Sequence, residues 1–274
     1  MKVGLIQHGC TPDRSANLDR ALGAMSRAKA AGAALIAFPE LAIDRFFPER
    51  PADPEARRIA EPVPGPTTQA VSQRAAELEV VTVFNLYESD PRTGHYFDSS
   101  PVIDADGSLL GVTRMVHITD YPCFHEQAYY TPGDRGAPVY HTRVGPVGVA
   151  ICYDRHYPEY MRALGLAGAE LVVIPQAGAL DEWPEGLYEA EVRTAAFQNG
   201  YFAALCNRVG EEEHLTFAGE SFVVDPSGRM IARAKRLEED LLLVEVDLAQ
   251  CRTSHARKLF WRDRRPDLYR EWFT

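Results

Sequence analysis

The chain has 274 residues, of which 46% are hydrophobic and 25% are charged, and its formal net charge at pH 7 is -10. This composition predicts one or two globular domains with a sizeable core, and the acidic surface disfavours nucleic acid and anionic membranes as partners. The first ten residues, MKVGLIQHGC, lack the apolar core of a signal peptide, and no run reaches the ~20 apolar residues of a membrane span. We therefore expect a cytoplasmic protein that does not bind membranes.

The cysteines exclude two further classes of protein. Their number is odd and no pair has CxxC spacing, at positions Cys10, Cys123, Cys152, Cys206 and Cys251. This pattern indicates neither a disulfide framework nor a zinc cluster, and it is typical of a reducing compartment. Because no glycine-rich phosphate-binding loop is present either, the sequence predicts no metal and no organic cofactor.

Strand and helix patterns alternate along the chain. Short apolar runs predict strands near residues 2–7, 34–38, 80–87, 97–103, 109–118, 147–152, 170–174, 201–207, 220–225 and 241–246. Amphipathic patterns predict helices over residues 15–31, 66–78, 158–167 and 185–199, with Ser15 as the N-cap of the first and with Pro66 and Pro158 in first turns. The segments DADG (104–107) and DPSG (225–228) predict tight turns between antiparallel strands. The predicted fold class is α/β with mixed sheets.

Cys152 is the candidate nucleophile. The run VGVAICYDRH (147–156) ends a strand pattern at this cysteine, and Pro158 then begins a helix pattern. A strand-to-helix turn can hold a nucleophile beside backbone N–H groups and the positive end of a helix. The alternative is a buried cysteine that only fills space under the sheet.

Glu40 is the candidate general base. The second strand runs into Pro39 and Glu40, which places a carboxylate at a strand end among apolar neighbours, where its pKa can rise. Such a carboxyl can take the proton of a thiol and return it to a leaving amine. The alternative is a loop glutamate that caps the next segment.

The residues after Cys152 allow several interpretations. Arg155 either holds the turn together with Asp154 or presents its planar fork to a substrate carboxylate. His156 would face the cysteine only if a helical turn began there, so a Cys-His pair of the thiol-protease type is the weaker alternative. The backbone N–H of Tyr153 is a candidate donor to an oxyanion.

Several segments, in order, resemble the nitrilase superfamily of carbon–nitrogen hydrolases, and in particular its branch that acts on N-carbamoyl compounds. They are FPEL (38–41), GPVGVAICYDRHYPE (145–159), LGLAGAELVVIP (164–175), QNGYFAALCNRVG (198–210), FAGESFVVDPSG (217–228) and RDRRPDLY (262–269). The resemblance implies a four-layer αββα sandwich over residues 1–274 as a single domain, with residues 250–274 as a C-terminal arm. It also implies a homodimer or larger homo-oligomer that acts on small molecules.

The same resemblance assigns roles to individual residues. Cys152 aligns with the nucleophile, Glu40 with the general base, and Glu126 with a second glutamate that supports the site. The family has a lysine in a motif like RKxH, whereas this chain has Met115 within RMVH (114–117). A thioether offers neither a proton donor nor a charge to the attacked carbonyl oxygen. Strand alternation places Arg114 on the opposite face and His117 on the same face as Met115.

Three functions are therefore open. The first is an active amidohydrolase that cleaves a small N-carbamoyl amine or amino acid through a cysteine thioester, with an ω-amidase-type amide as the alternative substrate. The second is a catalytically weak or inactive homologue that retains a small-molecule binding role. The third is a different thiol chemistry in a pocket that Met115 has reshaped. The retention of Glu40, Glu126 and Cys152 favours the first.

Overall fold

The computed structural model of the chain describes residues 1–272. Its strands are β1 (Lys2–Gln7), β2 (Leu35–Ala37), β3 (Val81–Val83), β4 (Leu86–Asp90), β5 (His95–Ile103), β6 (Leu109–Arg114), β7 (Val139–Thr142), β8 (Gly145–Val149), β9 (Leu171–Gln176), β10 (Phe202–Asn207), β11 (Val209–Glu211), β12 (Thr216–Ala218), β13 (Phe222–Val224), β14 (Met230–Arg233) and β15 (Asp240–Glu245). Its α-helices are α1 (Arg14–Ala30), α2 (Pro66–Leu78), α3 (Pro158–Leu166), α4 (Leu187–Asn199), α5 (Ala249–Thr253) and α6 (Pro266–Trp272).

The strands form two large mixed sheets. The first has the order β15-β1-β2-β3-β5-β4, with β6 paired to β5, and the second has the order β14-β13-β10-β9-β8-β7. In each sheet a parallel centre is flanked by antiparallel strands: β1, β2 and β3 are parallel in the first, and β8, β9 and β10 are parallel in the second. The predicted α/β class with mixed sheets is confirmed.

Three apolar cores divide the molecule into four layers. The largest contains inward-facing residues of both sheets, such as Leu5 and Val173, and therefore lies between the sheets. The second packs α1 and α2 on the first sheet, and the third packs α3 and α4 on the second sheet. This is the predicted αββα sandwich. Each parallel strand is covered on both faces, which explains why these strands are continuous apolar runs.

Most predicted elements are present, with local corrections. The side chain of Asp13, not Ser15, caps α1, because it accepts hydrogen bonds from two backbone N–H groups of the first turn. Pro66 and Pro158 begin α2 and α3 as expected. The turns at 104–107 and 225–228 join antiparallel strands. The strand predicted over 109–118 ends at Arg114, and the one predicted over 80–87 is divided between β3 and β4.

The C-terminal segment packs only in part. A short π-helix (Ala256–Phe260) lies against α4, where the rings of Phe197 and Phe260 are 5.3 Å apart. None of the side chains of α6 is buried, and Trp272 is 64% exposed. Residues 273 and 274 of the predicted arm lie outside the described residues. No helix within residues 1–272 is long and apolar enough to cross a membrane.

Candidate active site

Cys152 lies where the sequence predicts a strand-to-helix turn. Strand β8 ends at Val149, and a 3-10 turn begins at Cys152 and leads to α3. The cysteine has φ of 43°, in the left-handed region that residues other than glycine rarely adopt. Its side chain faces the core between the sheets, and the residue is 5% exposed. Backbone strain of this kind is often concentrated at functional sites.

Glu40 follows β2 at the corresponding edge of the first sheet and is fully buried. The next residue, Leu41, has φ of 47°, so the chain turns sharply after the carboxylate. The buried guanidinium of Arg208 holds this turn, because its Nη1 donates to the carbonyl oxygens of Glu40 at 2.9 Å and Leu41 at 2.7 Å. Sequence reasoning missed Arg208, which follows a strand as Glu40 does.

The two predicted glutamates and the cysteine converge. One ligand atom from each of Glu40, Glu126 and Cys152 lies within 4.8 Å of the others, and all three residues are buried. Glu126 begins a 3-10 turn of three residues, Glu126–Ala128. Among the described residues no hydrogen-bond donor of good geometry reaches the carboxylate oxygens of either glutamate. This spacing would also let the three groups share one small cation.

Asp98 is a third buried carboxyl of this site, and no local sequence pattern distinguishes it. It lies in β5, is fully buried, and accepts a hydrogen bond of 2.6 Å from Nδ2 of Asn85 on Oδ1. Its Oδ2 has no partner within residues 1–272. We call Glu40, Asp98, Glu126 and Cys152 the acid-thiol cluster.

The acid-thiol cluster contains no positively charged side chain, and the pKa values of its acids and of its thiol are raised. Burial, with the nearby Glu126, raises the pKa of Glu40 from 4.5 to about 8, although Cys152 and Asp98 interact with it in the opposite sense. Burial and Asp98 hold the pKa of Glu126 well above its ordinary value. Burial and Glu40 likewise raise the pKa of the Cys152 thiol. The thiol is therefore protonated at neutral pH, and its activation requires a base.

Met115 lies beside this cluster and Arg114 does not. The backbone N–H of Met115 donates to the carbonyl of Asp98, so these residues are opposite each other at the end of the antiparallel β5–β6 pair. Residues opposite each other in such a pair share a face. Met115 is fully buried in the core that also contains Cys152. Arg114 lies on the other face, as expected from strand alternation.

Arg114 belongs to a second cluster, the Arg114 cluster, made with the buried Glu88 and Asp90 and the exposed Asp134. Its Nε and Nη2 donate to the two carboxylate oxygens of Glu88, at 3.0 and 2.5 Å. Further bonds go to Asp90 at 3.1 Å and to Asp134 at 3.0 Å. All three guanidinium nitrogens of Arg114 are therefore bonded to these carboxylates, and none is available to Cys152.

His117 is also unavailable as a substitute donor. Its Nδ1 lies 2.7 Å from the buried carboxylate of Asp154, and its ring stacks on Tyr157 with centroids 3.5 Å apart. Because β6 has already ended at Arg114, the strand alternation used to place His117 no longer applies there.

Gln176 supplies the donor that contacts the sulfur. It is the last residue of β9, and its Nε2 lies 3.3 Å from Sγ of Cys152. Nη1 of Arg155 donates at 2.9 Å both to Oε1 of Gln176 and to the carbonyl oxygen of Cys152. Since a guanidinium can only donate, this contact fixes which end of the amide points at the sulfur. The strand predicted over 170–174 stopped short of Gln176, which is why it was missed.

Arg155 does not present a fork to the site. Nη1 is occupied, Nε lies 3.5 Å from Oε2 of Glu191, and the guanidinium stands 4.5 Å from the ring centroid of Tyr188. Only Nη2 has neither a hydrogen bond nor an ion pair within the described chain. The predicted bidentate contact with a substrate carboxylate is therefore reduced to a single donor.

His156 is bound to another acid rather than to the cysteine. Its Nδ1 lies 2.7 Å from Oε1 of Glu191, and its ring contacts those of Tyr153 and Trp183 at 5.0 and 5.2 Å. The structure therefore provides no support for a Cys-His pair. The half-buried Tyr153 and Trp183 belong to an aromatic group next to the nucleophile turn.

A four-layer sandwich that brings a cysteine and two glutamates together between its sheets is the architecture of the nitrilase superfamily. A sequence model of the carbon-nitrogen hydrolase family matches residues 2–256, and the chain belongs to this family. It is therefore an enzyme of the carbon–nitrogen hydrolase class.

The chain is similar to several known members over its whole length. N-carbamoylputrescine amidase of Solanum lycopersicum is 35% identical, with 99% of this chain and 94% of the relative covered. Citrullinase of Francisella tularensis is 30% identical, with 99% and 97% covered. The crystal structure of a carbon-nitrogen hydrolase from Helicobacter pylori superposes with a TM-score of 0.92, 31% identity and coverage of 100% and 98%.

A further solved structure bears on the chemistry. An amidase mutant from Nesterenkonia sp. carries the acetamide moiety of fluoroacetamide on its active site cysteine. That structure has a TM-score of 0.82 and 27% identity with this chain, and covers 100% of this chain and 97% of its own.

Proposed function

We propose that the enzyme hydrolyses a small N-carbamoyl amine or amide through a thioester on Cys152, with Glu40 as the general base and Glu126 as the supporting acid. The observation that carries this proposal is the convergence of these three groups within 4.8 Å in a buried site. The covalent adduct on the active site cysteine of the Nesterenkonia amidase supports the same role for Cys152.

The first step forms the thioester. Glu40 takes the proton of the Cys152 thiol as the sulfur attacks the carbonyl carbon, and the backbone N–H of Tyr153 and the amide of Gln176 are the donors nearest to the developing charge. Glu40 then gives its proton to the leaving nitrogen. The raised pKa of Glu40, about 8, suits a group that must both accept and release a proton near neutral pH.

The second step releases the product. Glu40 deprotonates a water molecule, which attacks the thioester, and the thiol leaves as the tetrahedral intermediate collapses. Glu126 remains protonated beside Glu40 because two carboxylates this close cannot both be ionised at low cost. A ureido substrate yields an amine, carbon dioxide and ammonia.

The relatives favour a ureido substrate. An N-carbamoylputrescine amidase and a citrullinase are named for ureido compounds, and a small N-carbamoyl amine is therefore the first choice. Nη2 of Arg155 and the ring of His156 are proposed to contact the substrate beyond the reacting carbon. An ω-amide is the alternative, because the Nesterenkonia structures are amidases.

The test measures ammonia release from a panel of N-carbamoyl amines, N-carbamoyl amino acids and amides. We expect turnover by the wild type, and loss of about 10³-fold or more in Cys152→Ala and Glu40→Gln. Cys251→Ala is the matched control, because this buried thiol bonds to the carbonyl of Glu170 instead, and it should retain activity. Silence of the wild type across the panel would favour the inactive-homologue alternative and overturn the proposal.

We also propose that residues 1–274 form a single domain and that the C-terminal arm, residues 250–274, is used in oligomerisation through α6, which docks on a second copy. The family match ends at residue 256, and the side chains of α6 are not buried within the chain. Light scattering of the full chain and of a truncation after Arg265 tests this. We expect a dimer or larger assembly that dissociates on truncation, and a monomeric full chain would contradict it.

A further inference from the structure

The acid-thiol cluster contains more buried acceptors than donors. Five carboxylate oxygens are buried and receive no hydrogen bond of good geometry from the described residues: both of Glu40, both of Glu126, and Oδ2 of Asp98. A buried acceptor without a partner is unfavourable by about 1–3 kcal/mol. A ligand with N–H groups would satisfy these acceptors, and a positive charge on it would favour the ionised form of the carboxyl groups.

The nearest cations of the protein are already occupied. Arg208 is buried and donates to the carbonyls of Glu40, Leu41 and Asp44 and to Glu212. Nη1 of Arg155 is held by Cys152 and Gln176. Met115 lies opposite Asp98 on the same face of the β5–β6 pair, and its side chain carries no charge.

This charge balance makes attack on a neutral carbonyl difficult. The thiolate would convert the carbonyl oxygen into an oxyanion in a buried site that already holds three carboxyl groups. Attack on an amidinium carbon has the opposite character, because the positive charge on the substrate is neutralised as the bond forms. A transition state is stabilised by the groups prearranged around it, and here these are carboxyl groups, whose raised pKa values a bound cation would lower until they ionise.

We propose that this site hydrolyses amidinium compounds, the planar C–N cations that include guanidinium groups, in preference to amides and ureas of the same shape. The proposal rests on the proposed function, since it retains Cys152 as the nucleophile and Glu40 as the proton carrier. It changes the reacting group. An amidinium plane has four or more N–H bonds, which match the unpaired oxygens of Glu40, Glu126 and Asp98.

The chemistry balances without a cofactor. Glu40 takes the thiol proton, the sulfur bonds to the amidinium carbon, and the C=N π pair becomes a nitrogen lone pair. Glu40 returns the proton to one nitrogen, the C–N bond breaks, and ammonia leaves a thioimidinium on Cys152. Water then attacks with Glu40 as base, the C–S bond breaks, and the thiol is restored. The sum is amidinium plus water giving an amide, or a urea from a guanidinium, plus ammonium.

A second acid near the cluster suits the same substrate charge. Glu182 accepts hydrogen bonds from the hydroxyl groups of Tyr121, at 2.5 Å, and Tyr188. The ring of Tyr121 contacts that of Trp183 at 5.9 Å. Carboxylates next to aromatic faces attract cations. Glu182 is also close enough to Cys152 to act on the thiol electrostatically.

The experiment uses two alkylating probes of the same shape, 2-chloroacetamidine, which is a cation, and 2-chloroacetamide, which is neutral. Rates of Cys152 labelling are followed by mass spectrometry of the intact and digested protein and are normalised to the rates with a small free thiol. A chelator is present throughout, so that no metal ion neutralises the cluster. The wild type is compared with Met115→Lys, which places an ammonium opposite Asp98, and with Met230→Lys, a control on the half-buried β14.

We expect the wild type and Met230→Lys to prefer the amidine by about 10- to 100-fold, the size of one or two charge-assisted hydrogen bonds. Met115→Lys should lose this preference. Ammonia release from acetamidine and from alkylguanidines, beside acetamide and alkylureas, should follow the same order. Equal labelling by both probes, or a preference that survives Met115→Lys, overturns the inference.

The failure of the inference is distinguishable from the failure of the proposed function. If amides or ureas turn over and Cys152→Ala abolishes it, while amidines are neither hydrolysed nor preferred by the thiol, only the amidinium proposal falls. If neither probe labels Cys152 and no substrate of either panel turns over, the nucleophile itself is wrong and both fall.

Discussion

Two buried acidic clusters lie on opposite faces of the β5–β6 pair, and they differ in whether a cation accompanies the acids. In the Arg114 cluster one guanidinium donates to three carboxylates. Beside the acid-thiol cluster the corresponding side chain, one residue further along the chain, is Met115, and the carboxylate oxygens of Glu40 and Glu126 receive no hydrogen bond of good geometry within residues 1–272.

The contrast separates acids that hold the fold from acids that are available for chemistry. Ordinary stability requires a buried carboxylate to be paired, and Glu88 meets this requirement through both of its oxygens. The unpaired oxygens of the acid-thiol cluster are instead free to accept protons and substrate N–H groups. Burial and the nearby Glu126 raise the pKa of Glu40 to about 8, whereas hydrogen bonds from the backbone of Arg92 and the side chain of Arg114 lower the pKa of Asp90 despite its desolvation.

Removing the cation from the paired cluster is expected to have the largest effect on stability. Arg114→Met leaves the carboxylate of Glu88 buried without its partner, and breaking such a pair lowers the free energy of unfolding by about 3–5 kcal/mol. Urea denaturation measures this. Arg92→Ala is the control, because the side chain of Arg92 is 78% exposed and its contact with Asp90 is long, at 3.5 Å. This substitution should change the free energy of unfolding little. Equal effects of the two substitutions would remove the distinction between the clusters.

The pH dependence of stability is expected to reveal the unpaired cluster. Glu40 faces Glu126, Asp98 and the Cys152 thiol, with Arg208 as the nearest cation. Its pKa is raised on folding, so the stabilisation is complete below its ordinary pKa of 4.5 and is lost as the pH rises towards about 8. In that window the free energy of unfolding should fall by about 1.4 kcal/mol per pH unit for each proton held only by the native state.

Glu40→Gln sharpens this measurement. The glutamine amide does not titrate, so the slope between these two pH values should flatten, and stability at pH 8 should rise relative to the wild type. Glu77→Gln is the matched control on the exposed face of α2 and should leave the slope unchanged. A wild-type stability that is flat across the window would show that Glu40 is ionised in the folded protein.

The sequence was sufficient for the elements that depend on local patterns. The parallel strands are continuous apolar runs, and the ends of β2 and β8 show where Glu40 and Cys152 emerge. That these residues meet follows from topology, because two stacked sheets bring their strand ends to a common edge. The resemblance to a known family supplied Glu126, which no local pattern distinguishes.

The residues that the sequence did not reveal act through contacts that no local pattern records. Asp98 is an acid on the inward face of a strand, and its significance appears only when Glu40 lies opposite. Arg208 acts on a turn 168 residues away in the chain. Gln176 stood just past a predicted strand end, where Pro175 interrupts the apolar run. A polar residue at the end of a buried strand, or directly after it, was the available signal for Gln176 and Arg208 respectively.

The smallest expected effect concerns Gln176, the side-chain donor that contacts the sulfur of the acid-thiol cluster. Its Nε2 lies 3.3 Å from Sγ of Cys152, and we expect a donor at this position to stabilise the thiolate more than the thiol. Gln176→Met keeps the shape of the side chain and removes the donor, so the pKa of the thiol should rise and alkylation by iodoacetamide at neutral pH should slow by about 10-fold. Gln127→Met, on an exposed side chain that bonds to the carbonyl of Ile118, should leave the rate unchanged. If Gln176→Met alkylates as fast as the wild type, the amide does not stabilise the thiolate, and the acid-thiol cluster is left with even less compensation than the geometry suggests.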